Sequence, residues 1–234
     1  MAAIKIQSTS TLSMRSGVKC TIYGESGTGK TRLLASAPSP FIISAERGLL
    51  SLRKYNLDYT EVSSLKDLSE AYLWATSSKE AAKYWTICLD SITDIAEIVL
   101  IDEMKKTTNG QRAYGTAQES IIAMYRNFRD LPNKNVVFIA QSAMTVNGTN
   151  GAKAFGPSLP GKLLPQKAPY FFDSVFQLVA GEPDVTTGVV PRYLRTQPDL
   201  NNQAKDRSGN LDTWENARVE EGGGLTKIFE KMLR

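Results

Sequence analysis

The sequence contains no histidine. That absence removes Ser-His-Asp and Cys-His nucleophile systems and the common zinc sites, so any general base must be a carboxylate or a lysine. Cysteine is nearly as scarce. Cys20 and Cys88 each sit inside a short apolar run, form no metal-ligand spacing, and read as buried, reduced thiols. No run approaches the roughly 18 apolar residues of a membrane span, and "MAAIKIQSTSTLSM" has no apolar core like that of a secretory signal. A cytoplasmic protein without a membrane partner is expected. Acids are missing from two stretches, between Glu103 and Glu119 and between Asp130 and Asp173.

What remains is ordinary in bulk. The 234 residues suffice for one sizeable domain with a buried core, and the net charge of +4 is too small to name a partner by itself. The order of segments says more. "VKCTIY" (18–23), "FIISA" (41–45), "WTICLD" (85–90) and "NVVFIAQ" (135–141) read as buried strands, and "EVSS" (61–64) closes a further one. Helical spacing is expected over 31–37, from Leu65 through Ala75, over 91–104 and over 116–130. Residues 105–115 and the Gly- and Pro-rich 142–169 read as long loops. "SVFQLVA" (174–180) and "VVPRYLRTQ" (189–197) read as late antiparallel edge strands, and "LTKIFEKMLR" as a last short helix. Such alternation predicts an α/β fold: a mostly parallel central sheet with helices on both faces, and ligands at the carboxyl ends of the strands.

At the end of the first strand stands "GESGTGKT", a full match to G-x-x-x-x-G-K-[ST] between a strand and a helix. Glycines there let backbone N–H groups converge on phosphate oxygens, and the helix start adds positive potential. Gly24, Glu25, Ser26, Gly27, Thr28, Gly29, Lys30, Thr31 and the adjoining Arg32 form the expected ATP site. Lys30 reaches the β- and γ-phosphates, and Thr31 ligates Mg2+. Asp90 closes an apolar strand, where an acid can hold Mg2+ through water or cap the helix starting near Ser91. Glu46, after "FIISA", is the natural carboxylate to activate a water, with Glu25 a competitor and a plain surface acid the alternative. Gln141 ends a strand, where its amide can sense the γ-phosphate or simply satisfy the strand end.

The acid-free stretches concentrate positive charge. Lys105, Lys106 and Arg112 fall in one and Lys134, Lys153, Lys162 and Lys167 in the other, with Tyr114 and Phe155 able to stack on bases. Lys105, Lys106, Arg112, Lys153, Phe155 and Lys162 are therefore the expected DNA contacts, against the alternative of two solvated loops. Lys205 and Arg207, in "KDR", form a surface turn or a cationic finger presented to a neighbouring subunit's γ-phosphate.

Four blocks in order, "GESGTGKT", "FIISAERGL", "TICLDSITDI" and "VVFIAQ", resemble a RecA-type P-loop ATPase. The resemblance implies that Glu46 activates water, Asp90 ends the Walker B strand and Gln141 senses the γ-phosphate. It implies two DNA-binding loops at 105–115 and 142–162, and a lysine–x–arginine finger at Lys205 and Arg207. "SAERGLLSL" and "FGPSLPGKLLPQKAPYFFD" most resemble phage-encoded core-only RecA-like proteins of single-strand annealing and recombination. That likeness implies single-stranded DNA, a single-strand-binding protein and copies of the chain itself as partners, with ATP between subunits. A ring-forming translocase, helicase or packaging-type ATPase is the alternative. The expected organisation is an N-terminal segment (1–16), a RecA-like core (17–210) and a tail with a short helix (211–234).

Overall fold

A computed structural model describes residues 17–46, 48–146, 151–161, 163–220 and 223–234. The N-terminal segment 1–16 and Lys162, one of the expected DNA contacts, lie outside the described residues. Nine strands form one sheet among those described, in the order β3-β2-β4-β5-β1-β7-β8-β9, with β6 pairing on β5. The strands β1 (Lys19–Gly24), β2 (Pro40–Ser44), β3 (Tyr59–Glu61), β4 (Thr86–Asp90), β5 (Asn135–Val146) and β7 (Ser174–Ala180) run parallel to one another, while β6 (Lys153–Pro157) pairs antiparallel with the far end of β5. The late strands β8 (Arg192–Arg195) and β9 (Trp214–Asn216) complete the edge in antiparallel fashion. The expected α/β class, with its antiparallel edge, is what the structure shows.

β1 and β4 are buried at every position, because helices cover both faces and no side chain can turn to water. One face packs against α2 (Leu65–Ser77), α3 (Ile92–Lys106), α4 (Gly110–Arg129) and α5 (Leu163–Phe171), through residues such as Leu68, Ile95, Ile121 and Ala168. The other packs against α1 (Lys30–Leu33), the tight turn Leu34–Ser36, and α6 (Leu225–Met232). Cys20 and Cys88 lie inside that second core as free thiols, and burial pushes both thiols up. The last helix thus packs on its own core. Leu225 N donates to Ser36 Oγ at 2.9 Å and the Thr226 hydroxyl to Ser36 O at 2.7 Å, docking α6 behind the helix that follows the glycine loop.

Two expectations fail here. Residues 105–115 are not a loop: α3 runs to Lys106, and α4 starts at Gly110. Asn109 caps α4, its side chain accepting from Arg112 N at 3.1 Å, so the Asn-Gly pair that suggested a loop starts a helix. Nor are the described residues of 142–169 irregular. β5 continues to Val146, returns as β6 (Lys153–Pro157), and α5 follows. Pro165 falls in the first turn of α5, where a missing N–H costs nothing.

α3 and α4 form an antiparallel pair. The buried Tyr125 hydroxyl donates to Ile92 O at 2.8 Å, tying the end of α4 to the start of α3. From Tyr125 back to Gly110 the helix rises about 22 Å, so the tip carrying Lys105, Lys106 and Arg112 projects well beyond the carboxyl edge of β4. Tyr125→Phe is expected to cost about 1–2 kcal/mol by removing that bond. Thermal unfolding should show a Tm lower by about 3–6 °C.

Candidate functional site

β1 delivers the glycine loop at the carboxyl edge of the sheet. Gly27 and Gly29 have positive φ, 78° and 96°, which the loop needs to turn its backbone inward. α1 is shorter than expected, four residues before the backbone tightens. The Lys30 ammonium donates to Gly24 O and Glu25 O, each at 2.8 Å, so it lies folded across the loop. Burial lowers the Lys30 pKa, opposed by the charges of Glu46, Asp90 and Glu25.

The Thr31 hydroxyl donates to Asp90 Oδ2 at 2.7 Å. Asp90 is buried, and its second oxygen, Oδ1, has no hydrogen-bond partner. Desolvation pushes this carboxyl up to about 6; Thr31 and Lys30 oppose the rise and Glu46 adds to it. A hydroxyl and a free carboxylate oxygen are hard donors of the kind Mg2+ takes. No cluster of three carboxylate, cysteine or histidine ligands exists among the described residues. A divalent cation would thus draw most of its ligands from phosphate and water, which suits Mg2+ arriving with a nucleotide. The residues fit that group. The helix-cap alternative for Asp90 goes elsewhere, because Ser91 is the residue that caps α3. Glu46 is exposed, one residue beyond Ala45, whose N–H donates to Asp90 O at 2.8 Å.

Gln141 does not end its strand. It lies in register with Gly24 on β1, and from Ser142 onward β5 changes partner to β6. Thr93 fixes this point of exchange. Its hydroxyl accepts from Gln141 N at 3.0 Å and donates to Ser158 O at 2.9 Å, while Ser158 N donates to Gln141 O at 2.8 Å. The base of the β5–β6 hairpin is thereby bonded to a residue three positions after Asp90. Tyr23, beside Gly24, adds a second tie, its hydroxyl 2.6 Å from Gln203 O and 3.0 Å from Phe155 O.

The expected DNA contacts separate. Lys105 and Arg112 are exposed at the α3–α4 tip, and Lys106 beside them is paired with Asp102 and Glu103. Lys153 is exposed on β6. Phe155 is not free to stack, since its ring packs against the core and its backbone bonds to Asn201 and Gln203. The finger candidates are engaged within their own chain. Lys205 donates to Pro169 O at 2.6 Å and Phe172 O at 2.5 Å, and Arg207 pairs with Asp173 at 3.1 Å.

Besides Thr93, two features escaped the sequence. Arg192 on β8 donates from Nε to Thr28 O at 2.8 Å, bracing the loop from outside. Glu220 accepts from Tyr55 at 2.8 Å and Lys54 at 3.1 Å and pairs with Arg32. Despite the cost of desolvation, those bonds hold the Glu220 carboxyl at about 2. Both contacts bridge more than 160 positions, and no local pattern announces them.

A parallel sheet with this loop at its carboxyl edge, and a Thr–Asp pair beside it, defines a P-loop NTPase core. A family model described as an AAA domain matches residues 16–208, and the chain belongs to that family of ATPase-type domains. No curated protein matches the sequence.

Proposed function

We propose that this chain is a Mg2+-dependent ATPase whose nucleotide state governs its grip on single-stranded DNA, acting in phage recombination or annealing. The observation that carries the reading is the Thr93 bridge. It joins the β4–α3 junction, where Asp90 sits, to the base of the β5–β6 hairpin at Gln141. A shift of Gln141 toward a γ-phosphate would pull on that hairpin, and loss of the phosphate would release it. The projecting α3–α4 tip adds Lys105 and Arg112 on the same side of the sheet. Copies of the chain would share ATP at their interfaces in the host cytoplasm, with a single-strand-binding protein as a further partner.

In this reading Thr31 and Asp90 hold Mg2+, Lys30 leaves the Gly24 and Glu25 carbonyls for the β- and γ-phosphates, and Glu46 orients the attacking water. The cation would neutralise charge on the leaving phosphates. Turnover should rise with single-stranded DNA, and DNA affinity should rise with a non-hydrolysable ATP analogue and fall with salt. A DNA affinity indifferent to nucleotide would refute the coupling. Glu46→Gln is expected to bind ATP normally and to lower turnover roughly a hundredfold. Full turnover in that variant removes Glu46 from the reaction.

A further inference from the structure

Residues 131–172 contain no acid, and the fold bends that span into two walls of one groove. The β5–β6 hairpin is one wall and α5 the other, and residues 198–207 close the third side. The groove has a volume of about 770 Å³. Lys153, Lys167, Lys205 and Arg207 line it, and among the described residues no carboxylate does.

Nearby acids are already committed. Asp199 pairs with Arg195 at 2.5 Å and accepts from the N–H groups of Asn201 and Asn202. Asp206 accepts within its own turn, from Ser208 and Gly209. Asp173 meets one nitrogen of Arg207 and leaves the rest of that guanidinium available. Lys153 and Lys167 are exposed. Tyr170 is 78% exposed on one wall and Leu200 92% on another, so apolar faces interleave with the cations.

Cations that can follow a phosphate chain, beside an aromatic ring open to solvent, fit a polynucleotide whose bases are free to stack. A duplex keeps its base faces covered and could not use Tyr170. We propose that this groove is a track for single-stranded polynucleotide, in which Lys153, Lys167 and Arg207 take backbone phosphates and Tyr170 stacks on a base. Arg207 then acts on a strand bound to its own subunit and not on a neighbour's nucleotide. This deepens the DNA-binding reading above and rests on it.

The test is fluorescence anisotropy of a labelled oligothymidylate, with and without an ATP analogue, across a salt series. Lys167→Glu and Arg207→Gln are expected to weaken binding about tenfold each and to reduce the salt slope by about one. Tyr170→Ala should weaken binding about tenfold with the slope unchanged. Thermal unfolding of each variant, matching the parent, separates lost binding from lost fold. If the parent binds oligonucleotide and these variants bind equally well, while Lys105→Glu and Arg112→Glu weaken it, the track is elsewhere and the DNA-binding reading survives. If Arg207→Gln keeps full affinity yet abolishes turnover, Arg207 serves a nucleotide and the groove assignment fails. If the parent binds no oligonucleotide in either nucleotide state, both readings fall.

Discussion

Asp90→Asn is expected to make the nucleotide-free protein more stable while lowering turnover about a thousandfold. The two effects have one cause. Burial raises the Asp90 carboxyl from 3.8 to about 6, so the folded chain holds a proton that the unfolded chain has released. Between those values the folded state binds more protons, and stability contributed by this group falls as pH rises through the window. Above about 6 the buried anion persists as a penalty, about 2–3 kcal/mol for a shift of about two units. Asparagine keeps an oxygen to accept from Thr31 and carries no charge. In EDTA the variant should match the parent near pH 4 and exceed its Tm at pH 7.5. The same charge is what a Mg2+–triphosphate would neutralise, and losing several kcal/mol of that stabilisation gives the thousandfold fall. A variant less stable than the parent at pH 7.5 would show that the anion is already compensated in the empty site. Retained turnover would remove Asp90 from the metal site.

The same residue shows why parts of this molecule were legible in the sequence. Asp90 ends an apolar strand, and the glycine loop ends another, so strand period and motif converged on one edge of a parallel sheet. The strands themselves and the late antiparallel edge followed from local runs of β-branched residues, whereas the order of strands across the sheet rests on pairings between distant segments and was not legible. Failures came where one signal had two meanings. Asn109-Gly110 reads as a turn, yet an asparagine that accepts from the third N–H onward is also a helix start. Gly115 sits on an exposed side of α4, where no packing penalises it. The stretch 142–146 looked irregular because its partner strand comes after it in the chain. Thr93, Arg192 and Glu220 were invisible for a different reason. Each acts through a contact set by tertiary placement, and a lone threonine, arginine or glutamate carries no local pattern.

Gly29→Ala is expected to weaken nucleotide binding about a hundredfold, and Arg192 explains why the effect exceeds ordinary backbone strain. At Gly29 the φ of 96° alone would cost an L-residue about 1–2 kcal/mol. An added Cβ would also lie 2.8 Å from Arg192 Nε and 3.3 Å from its Cδ. The arginine cannot yield without giving up its bond to Thr28 O, the brace that holds the loop from outside. Releasing the loop then loosens its N–H donors, a loss of about tenfold in nucleotide affinity, or about 1.4 kcal/mol. Arg192→Ala removes the brace without the collision and should weaken binding about tenfold, with Arg192→Lys recovering little because Nε is the donor. The double variant should bind no worse than Gly29→Ala, since the arginine has already been displaced there. Titration with a fluorescent ATP analogue measures all four. Additive losses would mean that Arg192 touches the nucleotide itself and does not act through the shape of the loop.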